Sequence, residues 1–224
     1  MATVTEHPAT TSATEQRFVI RAVDWDWYEK LLELVGDRAA IRITYDRGNL
    51  ELMSPALEHE GYKKLFGRFV ETVTEELELP CRAAGSTTWK KRIADRGLEA
   101  DESYYLANTH RMAGKREKVD LNVDPPPDLA IEIEISRSAL DRMAVYAALG
   151  VPEVWRFDGE ALRVEQLHDG AYTEVDHSSA FPFLRLDEIA RWIAAAESAV
   201  DHSVWGRRLR QWVRDELLPR VQGR

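Results

Sequence analysis

Between Asp128 and Ser136 the chain alternates strictly, Asp-Leu-Ala-Ile-Glu-Ile-Glu-Ile-Ser. On an extended strand successive side chains point to opposite faces. Leu129, Ile131, Ile133 and Ile135 therefore share one face, and Asp128, Ala130, Glu132, Glu134 and Ser136 the other. Glu132 and Glu134 become neighbours, with Cα atoms roughly 7 Å apart. Two like charges so placed are costly unless something positive stands beside them. One arrangement is a half-exposed strand with a solvated acidic face. The other is a site for a divalent cation, whose hard-oxygen preference suits Mg²⁺ or Mn²⁺.

The residues after this strand favour the second arrangement. Ser138 is expected to cap a helix through Leu140, Met143, Ala144, Ala147 and Leu149, stopped by Gly150, and Glu153 to Phe157 reads as another strand. Strand, helix and strand with short connections imply a parallel crossover, which makes the acidic strand central. Central strands of α/β sheets are usually apolar on both faces, so buried acids there call for a reason.

The remaining chain fits one α/β domain with a sheet near its centre. Arg17 to Ile20 reads as a short strand. Asp24 caps a helix running through Trp25, Tyr28, Leu31, Leu32 and Val35 to Gly36. Ala40 to Tyr45 and Leu50 to Met53 form a hairpin around Asp46–Asn49. A helix runs from about Glu58 to Leu77 and ends before Pro80. Ser86 to Ile93 and Leu98 to Leu106 read as strands, Asp124–Pro127 as a rigid linker, and Leu162–Gln166 with Ala171–Val175 as a hairpin. Asp187 is expected to cap a long helical region reaching about Leu218. Residues 1–16, rich in Thr, Ala and Ser, read as a disordered leader, 17–184 as the domain, and 185–224 as a helical extension packed on the domain or on a partner.

With 224 residues, 44% hydrophobic and 31% charged, the chain can bury a proper core. No stretch approaches the ~18 apolar residues of a membrane span, and the N-terminus lacks the regions of a secretory signal. The lone Cys81 excludes an internal disulfide or a cysteine zinc cluster, which makes a reducing cytoplasm the simplest setting. A net charge of −9 argues against a basic nucleic-acid coat protein, though not against an enzyme that gathers carboxylates around a cation. There is no HExxH, paired cysteine, Gly-rich phosphate loop or nucleophile elbow.

Further carboxylates come from Asp101 and from Glu58-His59-Glu60, where His59 is either a partner for the neighbouring acids or, the more ordinary reading, a capping or surface residue. Basic clusters occur at Lys90–Arg92, at Arg111, Lys115, Arg116 and Lys118, and at Arg207, Arg208, Arg210 and Arg214. The last interleaves with Trp205, Leu209, Trp212 and Val213 at helical spacing, as on a helix docking its apolar side.

Taken together, Leu50-Glu-Leu-Met-Ser-Pro55, Glu58-His-Glu60, Gly85-Ser-Thr-Thr88, Gly97-Leu-Glu-Ala-Asp101, Asp124-Pro-Pro-Pro-Asp-Leu129, Ile131-Glu-Ile-Glu134, Tyr146 to Trp155 and Phe181-Pro-Phe183 resemble the Uma family of restriction-endonuclease-like proteins, in the PD-(D/E)XK nuclease superfamily. The resemblance spans roughly Leu50 to Ile193. It implies a restriction-endonuclease-like core, a central mixed sheet flanked by helices, followed by the long C-terminal helical extension. It also implies Mg²⁺- or Mn²⁺-dependent hydrolysis of phosphodiester bonds, with DNA as the expected substrate, no membrane association and a homodimer as a reasonable assembly. Asp101 matches the motif's first acid, with Ala100 in place of the usual proline. Glu132 matches the second acid, and Glu134 stands where the motif has lysine. The basic role then falls to Arg142, where many relatives have lysine, or to Lys90; both are candidates. Asp101 and Glu132 would hold the cation, with Glu134 or Glu60 as further ligands or water-positioning groups. Two alternatives stand beside this reading. One is a catalytically inactive nuclease fold that binds nucleic acid or protein, and the other is a hydrolase of another phosphoester.

Overall fold

The computed structural model describes residues 15–36, 41–115 and 118–223. The first fourteen residues of the expected leader, Ala40 and Arg116 lie outside the described residues.

Two sheets carry the fold. The first consists of β1 (Gln16–Arg21), β2 (Arg42–Asp46), β3 (Asn49–Ser54), β5 (Thr88–Lys91) and β6 (Arg96–Glu99), antiparallel throughout and in the order β1-β3-β2-β6-β5. The second consists of β4 (Arg82–Ala83), β7 (Glu102–Tyr105), β8 (Leu129–Ile133), β9 (Glu153–Phe157), β10 (Leu162–His168) and β11 (Ala171–Val175), mixed and in the order β11-β10-β9-β8-β7-β4. In it β8 and β9 pair in parallel, as the crossover predicts, and β8 is buried along its whole length.

The local signals explain most elements. Asp24 accepts a hydrogen bond from Trp27 N at 2.7 Å, opening α1 (Trp25–Val35), and Gly36 ends it at a φ of +56°. Arg47 and Gly48 both take positive φ, the two-residue turn whose twist suits a hairpin. Helix α2 (Leu57–Glu76) packs Tyr62, Leu65, Phe66, Phe69, Val70 and Val73 into the main core with Leu129, Ile131, Ile133 and Trp155. Helix α3 (Arg142–Leu149) buries Val145, Tyr146 and Leu149 against Trp89, Leu98 and Ala130. Helix α1 packs on the other face of the first sheet, where Tyr28 stacks on Tyr45 with ring centroids 4.7 Å apart.

Four expectations need correction. The strand read over Leu98–Leu106 is two strands in different sheets, because the chain leaves the first sheet at Ala100 and enters the second at Glu102. The acidic strand stops at Ile133, two residues early. The cap of α3 is Asp141, which accepts from Ala144 N at 3.0 Å; Ser138, in the loop before the helix, instead donates to Glu51 of β3. The C-terminal region is broken into α4 (Leu186–Glu197), α5 (His202–Trp212), a π-helical turn (Val213–Leu217) and α6 (Leu218–Gln222); the expected cap Asp187 lies inside the first turn of α4, whose N-cap is Arg185, and Asp201 caps α5. Trp205, Leu209, Trp212 and Val213 join the main core beside α2, so the apolar side of α5 docks within the chain. No described helix is long and apolar enough to cross a membrane.

Register fixes which face each β2, β5 and β6 side chain occupies. Tyr45, Gly97 and Lys90 are aligned across three strands on the α1 face, whereas Thr44, Leu98 and Trp89 are aligned on the α3 face. Gly97 is required by crowding: a Cβ there would lie 2.4 Å from the Tyr28 hydroxyl and 2.9 Å from Lys90 Cβ. Gly97→Ala should therefore lower the unfolding free energy by about 1–3 kcal/mol, the usual cost of overpacking, as read from urea titration.

Candidate active site

Asp101 sits at the seam where the chain passes from one sheet to the other. The antiparallel register pairs Glu102 with Ile131, so the next step places Asp101 across from Glu132. Each of the two acids is only 2% exposed. The charges that offset them come from three directions.

Asp101 Oδ2 accepts from the backbone N–H of Ile133 at 2.9 Å, and Oδ1 accepts from His59 Nε2 at 2.7 Å. Arg42 Nε lies 3.7 Å from Oδ1 and has no hydrogen-bond partner. His59, in the first turn of α2, presents its other nitrogen to Glu15 Oε1 at 2.5 Å. Both ring nitrogens thus face carboxylates, which favours the imidazolium, the form in which both nitrogens donate. Burial alone would lower the His59 pKa; its bonds to Asp101 and Glu15 outweigh that and raise it to about 9. Burial would likewise raise Asp101, but the His59 hydrogen bond and the charges of His59 and Arg142 hold it below the ordinary carboxylate value.

Glu132 is gripped from α3. Arg142 Nε donates to Oε2 at 2.9 Å and Nη2 to Oε1 at 2.6 Å, a two-pronged contact, and the Tyr146 hydroxyl also donates to Oε1. Arg142 and Tyr146 are four residues apart and so share one side of the helix. The same guanidinium donates to the Glu99 carbonyl at 2.8 Å and to the Thr44 hydroxyl, which ties α3 to the first sheet. Burial, with Asp101 adding to it, pushes Glu132 above the ordinary value despite Arg142.

The other expected residues are placed differently. Glu134 lies at the rim, one quarter exposed, and is held by both prongs of Arg156 at 3.0 and 2.9 Å. With Arg137, Ser138, Arg142 and Arg156 it lines an open cleft of about 590 Å³. Glu60 pairs with Arg42 at 2.9 Å and reaches Asp101 only through it. Lys90 donates to Glu29 of α1 at 2.6 Å, on the sheet face away from Arg142. The structure thus brings Asp101, Glu132 and Arg142 together, sets Glu60 and Glu134 at two edges, and leaves Lys90 apart. Sequence reasoning missed Tyr146, Arg42, Arg156 and Glu15. Tyr146 was findable as the residue one turn beyond Arg142; Glu15, inside the expected leader, had no signal.

Among the described residues no group of three or more His, Cys, Asp or Glu side chains is arranged to hold a metal ion. The donor set is a pair. Each carboxylate oxygen can accept two hydrogen bonds. Both oxygens of Asp101 and Oε2 of Glu132 accept a single one each, so coordinating capacity remains on both residues. Mg²⁺ commonly takes one or two carboxylates and completes its shell with water and substrate oxygens, which a pair of this kind fits.

The energetics of the pair are testable without a substrate. Arg142→Met strands Glu132 in a buried site and should cost about 3–5 kcal/mol in denaturant melts, while adding Glu132→Gln should recover much of the loss. The folded His59 value lies above the 6.5 of a free imidazole. Its contribution is then complete below 6.5 and lost as pH rises through about 9. Urea midpoints should fall across that window in the wild type and stay flatter in His59→Gln.

Comparison with known proteins places the fold and the family. No curated protein matches the chain. The crystal structure of "a putative nuclease belonging to DUF820" from Anabaena variabilis aligns at a TM-score of 0.51 and 16% identity, covering 74% of this chain and 97% of that one. At that identity the likeness speaks for the fold. Residues 25–197, which include Asp101, Glu132 and all of α3, match the family model Uma2. The chain belongs to the Uma2 family, described as "putative restriction endonuclease".

Proposed function

We propose that the protein is an endonuclease that hydrolyses phosphodiester bonds in DNA with the help of Mg²⁺ or Mn²⁺. The observation that carries this reading is the convergence of Asp101 and Glu132, with lone pairs to spare, beside a cleft lined by arginines. Asp101 and Glu132 would hold the cation, which supplies an activated water and offsets charge on the phosphoryl oxygens.

The chain's own residues do the rest. Arg142 orients Glu132 and brings a permanent positive charge to the wall of the cleft. Arg137, which forms no ion pair among the described residues, and Arg156 add guanidinium groups suited to phosphate oxygens. Glu60, pinned by Arg42, and Glu134, pinned by Arg156, bound the site with negative charge and help to seat a hydrated cation. Arg142 and Arg156 are each paired with carboxylates, Arg142 with Glu132 and Arg156 with Glu134 and Glu165, so Arg137 is the guanidinium of this cleft without an ion pair among the described residues. Lys90, on the far face of the first sheet, is not assigned a part.

A second reading has its own support. Arg142 occupies both oxygens of Glu132, and Glu134 replaces the motif lysine, which suits a nuclease fold that binds nucleic acid without cutting it. Incubation with supercoiled and single-stranded DNA separates the two. The wild type should nick or cut with Mg²⁺ or Mn²⁺ and stop with chelator, and Asp101→Asn and Glu132→Gln should each lose roughly a hundredfold or more in rate. Retention of DNA on a filter with no cleavage under any of these conditions would establish the binding module instead.

A further inference from the structure

We propose that Glu15 is a positioning residue of this site: through His59 it fixes the Asp101 carboxylate in the orientation that meets the cation. The inference rests on the cation-binding reading above and adds to it a residue that lies outside the family match at 25–197.

Strand β1 has little to do with the core. Of its six residues only Arg17 is shielded from solvent; Phe18 is 61% exposed, and Val19 and Ile20 are exposed as well. What the strand brings inward is polar. Glu15 immediately precedes it and has a side chain only 1% exposed. Its Oε1 accepts from His59 Nδ1 at 2.5 Å, and its Oε2 accepts from Arg17 Nη2 at 3.0 Å and from the Ser136 hydroxyl. Arg17 in turn donates to Ser136 Oγ at 2.9 Å, to the Ser136 carbonyl at 3.1 Å and to Glu51 at 2.8 Å. One carboxylate therefore joins α2, through His59, to the loop that follows β8, through Ser136. Those two segments flank the acids Asp101 and Glu132.

The line Glu15–His59–Asp101 explains why the burial is tolerated. A carboxylate this deep is unfavourable unless it is paired and hydrogen-bonded, and an imidazole bound at only one nitrogen can still turn about its ring axis. With carboxylates on both nitrogens the ring is held. Asp101 is then held too, Oδ1 by the ring and Oδ2 by Ile133 N. The arrangement parallels the outer partners that orient metal-binding side chains, whose loss typically weakens metal affinity 10–100-fold.

Isothermal titration of the full chain with Mn²⁺, alongside urea melts, tests this. Glu15→Ala should weaken Mn²⁺ binding by about 10–100-fold. Glu15→Gln retains an acceptor for His59 and should stay within roughly threefold of wild type. If Glu15→Ala binds as the wild type does, or if Glu15→Gln falls as far as Glu15→Ala, the positioning role is overturned while the cation site stands. If the wild type itself takes up no Mn²⁺, the cation reading fails and this inference falls with it. Should Glu15→Ala not fold, His59→Gln takes its place. It keeps a donor toward Asp101 while severing Glu15, so wild-type affinity overturns the proposal, and a 10–100-fold loss sustains it only where Glu15→Gln keeps wild-type affinity; a loss in both overturns it.

Discussion

Two carboxylates facing one another away from water repel, and the surrounding structure is arranged around that repulsion. At 4 Å and an effective dielectric near 20 the scale of such an interaction is about 4 kcal/mol, comparable to a large part of a domain's net stability. Asp101 and Glu132 remain buried because Arg142 and His59 each bring a cation to one of them, while Tyr146 and Ile133 N supply neutral donors. These partners come from α2, from α3 and from β8 itself. The position of both helices is thus coupled to the acids, and the packing of Tyr62, Phe66 and Val145 finishes what the charges begin.

The same partners shape the chemistry. Arginine at position 142 is always charged and grips a carboxylate with two prongs, so it holds Glu132 more rigidly than a lysine would and exchanges no proton. Glu134, at the place of the motif lysine, is tied to Arg156, so the local charge at that position is balanced by a neighbouring strand.

Much of this was readable from the chain. The alternation from Asp128 to Ser136 placed Glu132 inward because period two admits no other arrangement on a buried strand, and the Pro-rich approach and the Gly150 stop framed the crossover. Asp101 was reachable only through its likeness to a motif, since an acid beside a turn is ordinarily solvated. The seam at Ala100 was invisible, because Leu98 to Leu106 has strand character on both sides of it and propensity does not say which sheet a strand joins. Lys90 looked equivalent to Arg142 until register put it on the opposite face, a matter of odd or even position that only pairing decides. Glu15 lay in a stretch whose composition reads as a leader, and a single acid there becomes meaningful only when His59 is found beside it.

The passage from β6 to β7 has a mechanical side. Asp101 belongs to the ladder of neither sheet, Glu132 belongs to the second, and Arg142 reaches from α3 to Thr44 and Glu99 of the first. The gap between the two acids is therefore set by how the sheets dock, like the opening of a vice set by its jaws. Trp89 of the first sheet and Ala130 of the second are buried together in that joint, so a change in their bulk would be felt in how far apart the jaws stand.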